Sequence, residues 1–283
     1  MRVCLLTQHP QLFTQQRLLA ECRSLKLDVE VVTPDKFCWV WPNNLGHYDF
    51  TFNRLSSVES GAFEFSLSSM PVWGKQINSW EFRQKLWDKA RQIIWLSELD
   101  IQAPTSFMMK GSLYPDHPSW KKFVKDHSSQ LGWVLKFNRG QKGVGVNFVE
   151  TEAALIDWMN TLYRMGDQDF LIQPRLAQSE EYRLTLLGGK PWCLLRREGA
   201  KGNFAQGGKA TELEVKLWPK EIIHLIDKLS FLDESSYLAL DILLIEQTPY
   251  VLDVNTMPGV EQLEQVSGRN FVKDLLNMTL KSL

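Results

Sequence analysis

No apolar run in the 283-residue chain approaches the roughly 20 residues that a membrane-spanning helix requires. The opening MRVCLLTQHPQ is too short an apolar run for a signal peptide, because Gln8, His9 and Pro10 end it, so a cytoplasmic protein without membrane contact is expected. Cysteine is scarce: Cys4, Cys22, Cys38 and Cys193 are scattered with no C-x-x-C pair, which argues against a zinc site or disulfide framework and for reduced thiols. The five histidines form no H-E-x-x-H and show no metal-ligand spacing. Neither sign of charge dominates, with 32 basic and 33 acidic residues, so nothing in bulk electrostatics draws the chain to nucleic acid or a membrane surface. There is no Walker A G-K-[ST], no internal repeat and no low-complexity tract.

Tryptophan, by contrast, is abundant. Eleven occur, and Trp80, Trp87 and Trp95 recur at intervals of seven and eight, which puts them on one helical face. A packed core stripe is the expected meaning, with an aromatic ligand platform as the lesser one. The length and the 44% hydrophobic content suit one large domain or two to three small ones.

The most specific stretch is YVLDVNTMPG, 250–259. It reads as a buried strand on which Asp253 and Asn255, two apart, leave the same face. Pro258-Gly259 stops it just beyond. A carboxylate and an amide are hard oxygen ligands of the kind Mg²⁺ takes when it also holds phosphates. Asp241, inside the apolar run ALDIL, lies on a strand that would pair with it, so two carboxylates and an amide read as a metal site ahead of a structural hydrogen-bond cluster.

The remaining elements are read from periodicity. Arg2–Thr7, Leu12–Leu25 and Leu27–Val32 give a β-α-β start, hence a Rossmann-like parallel sheet, without a G-x-G-x-x-G turn. A strand over Tyr48–Asn53 delivers Arg54 at its end, where it would grip a substrate carboxylate or form a surface salt bridge. One long helix is expected over Asn78–Leu99. Strands follow at Trp133–Phe137, up to Val149, and at Phe170–Gln173, with helices at Trp120–Ser128 and from a Thr151 cap to Arg164. Lys110–His117 and Gly199–Thr211 read as loops. Two apolar runs around Gly188-Gly189 form a hairpin, and a helix covers Pro219–Leu232. The chain ends with strands Tyr237–Ile245 and Pro249–Val254 and a helix over Phe271–Leu280.

Several cationic or glycine-rich features could serve a nucleotide. Gly140–Gly145 (GQKGVG) is a hairpin turn or a backbone cover for phosphates. Lys136, in the apolar setting VLKF, either points from an edge strand to solvent or meets a triphosphate. Arg183, Arg196 and Arg197 lie on the two arms of one hairpin and would hold charge in phosphoryl transfer or form a solvated sheet face.

With these residues in view, the chain from about Asn78 to Leu280 resembles the ATP-grasp superfamily, and within it the RimK-type glutamate ligases. The matching segments are DKARQIIWLSELDIQAP, VLKFNRGQKGVGV, FLIQPRL with EYR, RRE…GNFAQGGKA, ALDILLIEQTPYVLDVNTMPG and VEQLEQVSG, in the family's order. The resemblance implies an N-terminal Rossmann-like domain (1–84), a small central lid domain (85–174) and a C-terminal antiparallel-sheet domain (175–283), an α/β and α+β architecture. Lys89 and Lys136 match the phosphate-contacting lysines, and Gly140, Gln141, Gly143 and Gly145 belong to the phosphate cover. Gln173, Arg175 and Leu176 match the adenine hinge and Glu181 the acid at the ribose. Asp241, Asp253 and Asn255 match the ligands of two Mg²⁺ ions, for which Mn²⁺ can substitute. Arg183 and Asn203 match positions at the transferred phosphate, Arg196 or Arg197 the arginine at the acyl phosphate, and Arg54 and Lys201 substrate contacts. The family usually carries Glu at Asp253. The loop from Arg197 to Asn203 is about three residues shorter than the RimK pattern, with Lys201 and Gln206 where arginines are usual, and GNFAQGGKA is also similar to the glutathione synthetase loop.

The implied activity is ATP-dependent amide formation through an acyl phosphate, adding glutamate or another amino acid to a protein, peptide or small molecule. The implied partners are a carboxylate and an amine, with homo-oligomer formation suggested by related folds. The competing expectations are a non-catalytic Mg-ATP sensor or scaffold, and a ligase that modifies a peptide.

Overall fold

The computed structural model of the chain describes residues 1–34, 47–55, 73–109, 118–127, 130–140, 145–165, 169–177, 179–198, 209–233 and 236–283. Strands β1 (Arg2–Leu6), β2 (Asp28–Val32), β3 (Phe50–Asn53) and β4 (Lys75–Ile77) form a parallel sheet in the order β2-β1-β3-β4. β1 and β3 are buried along nearly their whole length, as near-continuous apolar runs in parallel sheets are. The polar residues of β3 are satisfied inside the sheet: Thr51 Oγ1 donates to Trp73 O at 2.7 Å and Asn53 Nδ2 to Gln76 Oε1 at 3.0 Å. The expected β-α-β start is present, with α1 at Phe13–Ser24.

The single helix expected over 78–99 is two helices, α2 (Trp80–Lys85) and α3 (Lys89–Glu98). Each has its own cap. Ser79 Oγ accepts from Phe82 N at 3.2 Å, and Asp88 Oδ1 accepts from Arg91 N at 2.9 Å. An apolar period continuous across both concealed a cap in its middle. The three tryptophans are buried all the same. Trp80 and Trp87 meet edge to face with ring centroids 5.8 Å apart, and Trp95 meets Phe82 at 6.0 Å. They are core, as expected, although they do not share one helix.

A second sheet, entirely antiparallel, has the order β5-β8-β6-β7, from β5 (Phe107–Met109), β6 (Trp133–Phe137), β7 (Val146–Val149) and β8 (Phe170–Pro174). Helices α4 (Pro118–Asp126) and α5 (Glu152–Met165) cover one face, and Trp120, Leu155, Met159 and Trp133 share a core with it. Thr151 caps α5 as expected, accepting from Ala154 N at 3.2 Å. The loop expected at 110–117 lies outside the described residues.

The third sheet carries β9 (Glu180–Leu187), β10 (Lys190–Glu198), β11 (Lys209–Glu212), β12 (Tyr237–Ile245) and β13 (Thr248–Asn255) in the order β11-β10-β9-β12-β13. It is antiparallel throughout. Its two faces are buried differently. Cys193, Leu195 and Tyr237 join an apolar cluster with β1, β3, α1 and the last helices α7 (Glu261–Ser267) and α8 (Phe271–Lys281). Tyr182, Leu184, Leu194, Leu240 and Val254 pack on the opposite face against Trp95 and Leu96 of α3 and Ile222 and Leu225 of α6 (Lys220–Lys228). β11 begins inside the stretch expected to be loop, and α6 stops at Lys228, short of Leu232. No helix among the described residues is long and apolar enough to cross a membrane.

Gly145 closes the β6–β7 connection at φ +76°, accepting from Phe137 N at 2.9 Å. A Cβ there would fall 2.2 Å from the Phe137 ring. The glycine is therefore demanded by the hairpin itself. Gly145→Ala is expected to lower the unfolding free energy by about 1–3 kcal/mol, read as a drop in the urea midpoint with unchanged m-value.

Candidate functional site

Strand register builds the centre of the site. Asp241 of β12 faces Asp253 of β13 on one side and Arg183 of β9 on the other, so three charged side chains stand in a row on one face. Asn255 pairs with Ala239, two residues along, and shares that face. Like charges placed directly opposite one another oppose strand pairing. The neighbours relieve it: Lys89 Nζ lies 2.7 Å from Asp253 Oδ1, and Arg183 Nε lies 3.2 Å from Asp241 Oδ1. The two acids respond in opposite directions. Burial raises Asp253, but the charge and hydrogen bond of Lys89, with Lys136 and Arg183 behind, pull it below the usual carboxylate range. At Asp241 burial, reinforced by Asp253, outweighs Arg183 and leaves the carboxyl raised.

A β-bulge lies at this point. The register jumps from Asp241↔Asp253 to Ile242↔Val251, so Leu252 is the extra residue. Its carbonyl accepts from Lys136 Nζ at 3.4 Å. Lys136 reaches across from β6, and Asn138, two residues on, takes hold of helix α3. Asn138 O accepts from Lys89 N at 3.1 Å and Asn138 Oδ1 from Ala90 N at 3.0 Å. One asparagine therefore ties both lysines to a common frame. Burial, then the charge of Lys89, pulls Lys136 down to about 8.

Between α3, β6, β8 and β13 lies a narrow cleft, partly open to solvent and lined by Lys89, Gln92, Ile93, Lys136, Gln173 and Leu252 among others. Gln173 is buried at its wall and donates through Nε2 to Ser106 Oγ at 2.7 Å. Arg175, two residues further along the chain, is exposed with its guanidinium 5.2 Å from the Phe148 ring centroid, and Leu176 is half-buried. Glu181 pairs with Arg197 on the face of Arg183 and Asp241. Arg196 is on the other face, paired with Tyr182 in register and 3.9 Å from Glu180, because neighbouring strand residues alternate. Of the two adjacent arginines only Arg197 shares the face of the acids, which corrects the expectation that Arg196 could stand there. Gly140 lies just past β6, where its N–H donates to Phe137 O at 3.2 Å. Gln141, Gly143, Lys201 and Asn203 lie outside the described residues. Arg54 sits apart from the cleft, donating through Nη1 to Tyr237 OH at 2.6 Å.

The donor set suits a hard divalent cation. Asp241 Oδ1 is buried and makes no hydrogen bond beyond its ion pair with Arg183. Asn255 Oδ1 accepts from Met257 N at 2.8 Å, which ends the strand and leaves the oxygen its second lone pair. Among the described residues no group of three or more His, Cys, Asp or Glu gathers. Two carboxylates and an amide are hard oxygen donors of the kind that would hold Mg²⁺, which would supply positive charge beside phosphates. Sequence reasoning missed Gln92, whose Oε1 accepts from Val254 N at 3.1 Å, and Asn138. Neither carries a pattern that periodicity or charge would reveal.

Among known proteins, the model of the RimK-like ATP-grasp domain matches residues 87–279. The chain is 26% identical to a protein of Shewanella frigidimarina named probable alpha-L-glutamate ligase 2, an alignment covering 100% of this chain and 99% of the other. The solved RimK-domain ATP-grasp protein of Sphaerobacter thermophilus superposes with a TM-score of 0.73 at 16% identity, covering 99% of this chain and 100% of that one. The ATP-grasp ligase PsnB, solved with a phosphomimetic variant of its minimal precursor, Mg and ADP, superposes with a TM-score of 0.72 at 15% identity, covering 99% and 97%. The fold is the ATP-grasp fold.

Lys136 gives the ligand-free protein a pH signature. Its folded value of about 8 lies below the ordinary 10.5, so between these values the unfolded chain binds the extra proton. Stability therefore rises with pH through that window, by at most about 1.4 kcal/mol per unit. Above pH 9 the buried thiols Cys4, Cys22 and Cys193, held protonated by burial, act in the opposite sense. The difference between wild type and Lys136→Met isolates the lysine. In urea titrations without nucleotide or Mg²⁺, the stability advantage of the variant should shrink as pH rises from 7.5 to 10 (roughly this window).

Proposed function

The chain belongs to the RimK-like ATP-grasp domain family, and from that premise we propose that its cleft is the active site of an ATP-dependent carboxylate–amine ligase. It joins an amino acid, glutamate by analogy with its relatives, to a carboxyl group of a protein, peptide or small molecule. The observation that carries this reading is the meeting of Lys89 and Lys136 with Asp253 in one cleft, with Asp241 and Arg183 next to Asp253 in the sheet.

In this reading Gln173, Arg175 and Leu176 meet the adenine, Glu181 the ribose, and Lys89, Lys136 and the loop from Gly140 to Gly145 the phosphates. Asp241, Asp253 and Asn255 hold two Mg²⁺ ions, or Mn²⁺ in their place, which supply charge neutralisation at the phosphates. The substrate carboxylate attacks the γ-phosphorus, the bond to the bridging oxygen breaks, and ADP leaves. The amine then attacks the acyl carbon, loses a proton, and inorganic phosphate departs. Phosphoryl transfer needs positioning and charge more than covalent help. Arg183 and Arg197 flank the acids and hold the transferring group and the oxyanion that follows. Lys89 is pre-paired with Asp253, so the lysine is already aimed before a nucleotide arrives. Asn203 and Lys201 are assigned to the phosphate and the substrate by resemblance. The three units 1–84, 85–174 and 175–283 supply substrate contacts, lid and metal site, in a cytoplasmic protein.

The test is ADP release in the presence of Mg-ATP, L-glutamate and candidate carboxylates. ADP release should require both an amine and a carboxylate. Arg183→Met should lower kcat by about 10²-fold or more while Mg-ATP binding, followed by calorimetry, moves only a few-fold. Tight Mg-ATP binding with no ADP release for any pair would sink the ligase reading and favour a nucleotide sensor.

A further inference from the structure

Arg83, on α2, is 2% exposed, one of the largest side chains so fully enclosed. Its Nη2 donates to Leu55 O at 2.7 Å, and its guanidinium lies 5.7 Å from the Trp87 ring centroid. Its Nε and Nη1 are buried and make no hydrogen bond. No carboxylate among the described residues pairs with it. Arg54 directly precedes Leu55. Its Nη1 is shared between Tyr237 OH at 2.6 Å and Pro258 O at 3.4 Å, and its Nε is likewise buried without a hydrogen bond. The two guanidinium groups are near enough to repel each other, and between them three buried nitrogens are left without a hydrogen bond.

Neutral partners do not compensate a buried charge, and a second like charge makes the cost greater. Lysine would escape by losing its proton; arginine does not. Burial, then the charge of Arg54, pulls Arg83 down to about 9, which still leaves it protonated at neutral pH. What such a pair lacks is an anion, and a guanidinium fork fits an oxyanion in two-point contact.

The location ties the pair to the reaction. Tyr237 opens β12 on the same face as Asp241, four residues further, which is roughly 13 Å of strand. Pro258 follows Asn255 by three residues. The arginines therefore stand just beyond the strand ends nearest Asn255, where β12 begins and β13 finishes. We propose that Arg54 and Arg83 together bind a carboxylate of the substrate that does not react, so that the enzyme selects a substrate carrying a second carboxylate. This rests on the ligase reading for the word substrate; the anion subsite stands on the arginines alone.

The test uses the full chain with Mg²⁺ and a non-hydrolysable ATP analogue, titrated calorimetrically with L-glutamate, glutarate, butyrate and inorganic phosphate. Glutarate or L-glutamate should bind saturably and butyrate weakly. Arg83→Met should weaken that binding roughly ten- to a hundredfold with nucleotide affinity unchanged. Arg83→Lys, which keeps the charge and loses the fork, should restore only part of it, and Arg54→Met should behave like Arg83→Met. Binding of glutarate and L-glutamate that is equal in wild type and Arg83→Met, or absent from wild type, overturns the subsite. So does a lower melting temperature in Arg83→Met with unchanged affinity, the mark of a brace for Leu55. Phosphate bound more tightly than glutarate overturns the carboxylate assignment. ADP release is followed separately. Arg83-dependent carboxylate binding without ADP release for any amine removes the ligase reading and leaves the subsite. ADP release with carboxylate binding indifferent to Arg83 does the reverse.

Discussion

Two carboxylates set directly opposite each other on neighbouring strands, Asp241 and Asp253, are the constraint around which the cleft is arranged. Such a pair opposes the sheet that contains it. It persists because cations arrive from separate elements: Lys89 from the start of α3, Lys136 from β6, Arg183 from β9. No one strand or helix could deliver them all to one side. The meeting of the second and third sheets is thus an electrostatic requirement as well as a matter of packing. Asn138 shows how it is met, holding the backbone at Lys89 from the strand end that also carries Lys136.

The balance is unequal. Asp253 is over-compensated by its lysines and Asp241 is under-compensated by Arg183, which is why their acidities move apart. Lys136 is held low by burial and by Lys89. A ligand that brings negative phosphates and a divalent cation would relieve all three: the phosphates the lysines, the cation the acids. Mg-ATP, the ligand proposed for this cleft, carries charges of that pattern. The bulge at Leu252 contributes by turning a carbonyl out of the ladder toward Lys136, a use of broken pairing common near functional sites.

Much of this arrangement is legible in the order of residues alone. Alternation in YVLDVN puts Asp253 and Asn255 on one face, and ALDIL supplies the partner strand. The turn at Gly188-Gly189 has both residues at positive φ, as a two-residue hairpin with these glycines demands. What escapes such a reading does so for physical reasons. The bulge exists only in the register between two strands, which neither strand's own sequence contains. The short strands β4, β5 and β11 are too brief to show a period. Arg196 and Arg197 are indistinguishable as neighbours in sequence, and only pairing with Tyr182 and Ala210 separates their faces. Arg83 reads as an ordinary charged residue on an amphipathic helix, because burial of a guanidinium follows from the neighbours it meets in space.

The break between α2 and α3 connects these points. On one continuous helix, Arg83 and Lys89 would be six residues apart, about 240° around the axis, with their directions locked together. The Asp88 cap divides the run, and Leu86 and Trp87 lie between the two pieces as buried core. Each helix then takes its own heading. α2 sends Arg83 to the end of β3, beside Arg54, and α3 sends Lys89 to Asp253. A periodicity that reads as one helix is thus divided where two cations must reach different points along the strands that carry Tyr237, Asp241 and Asp253. The interruption that defeats the helical reading is what lets one short segment of chain serve both.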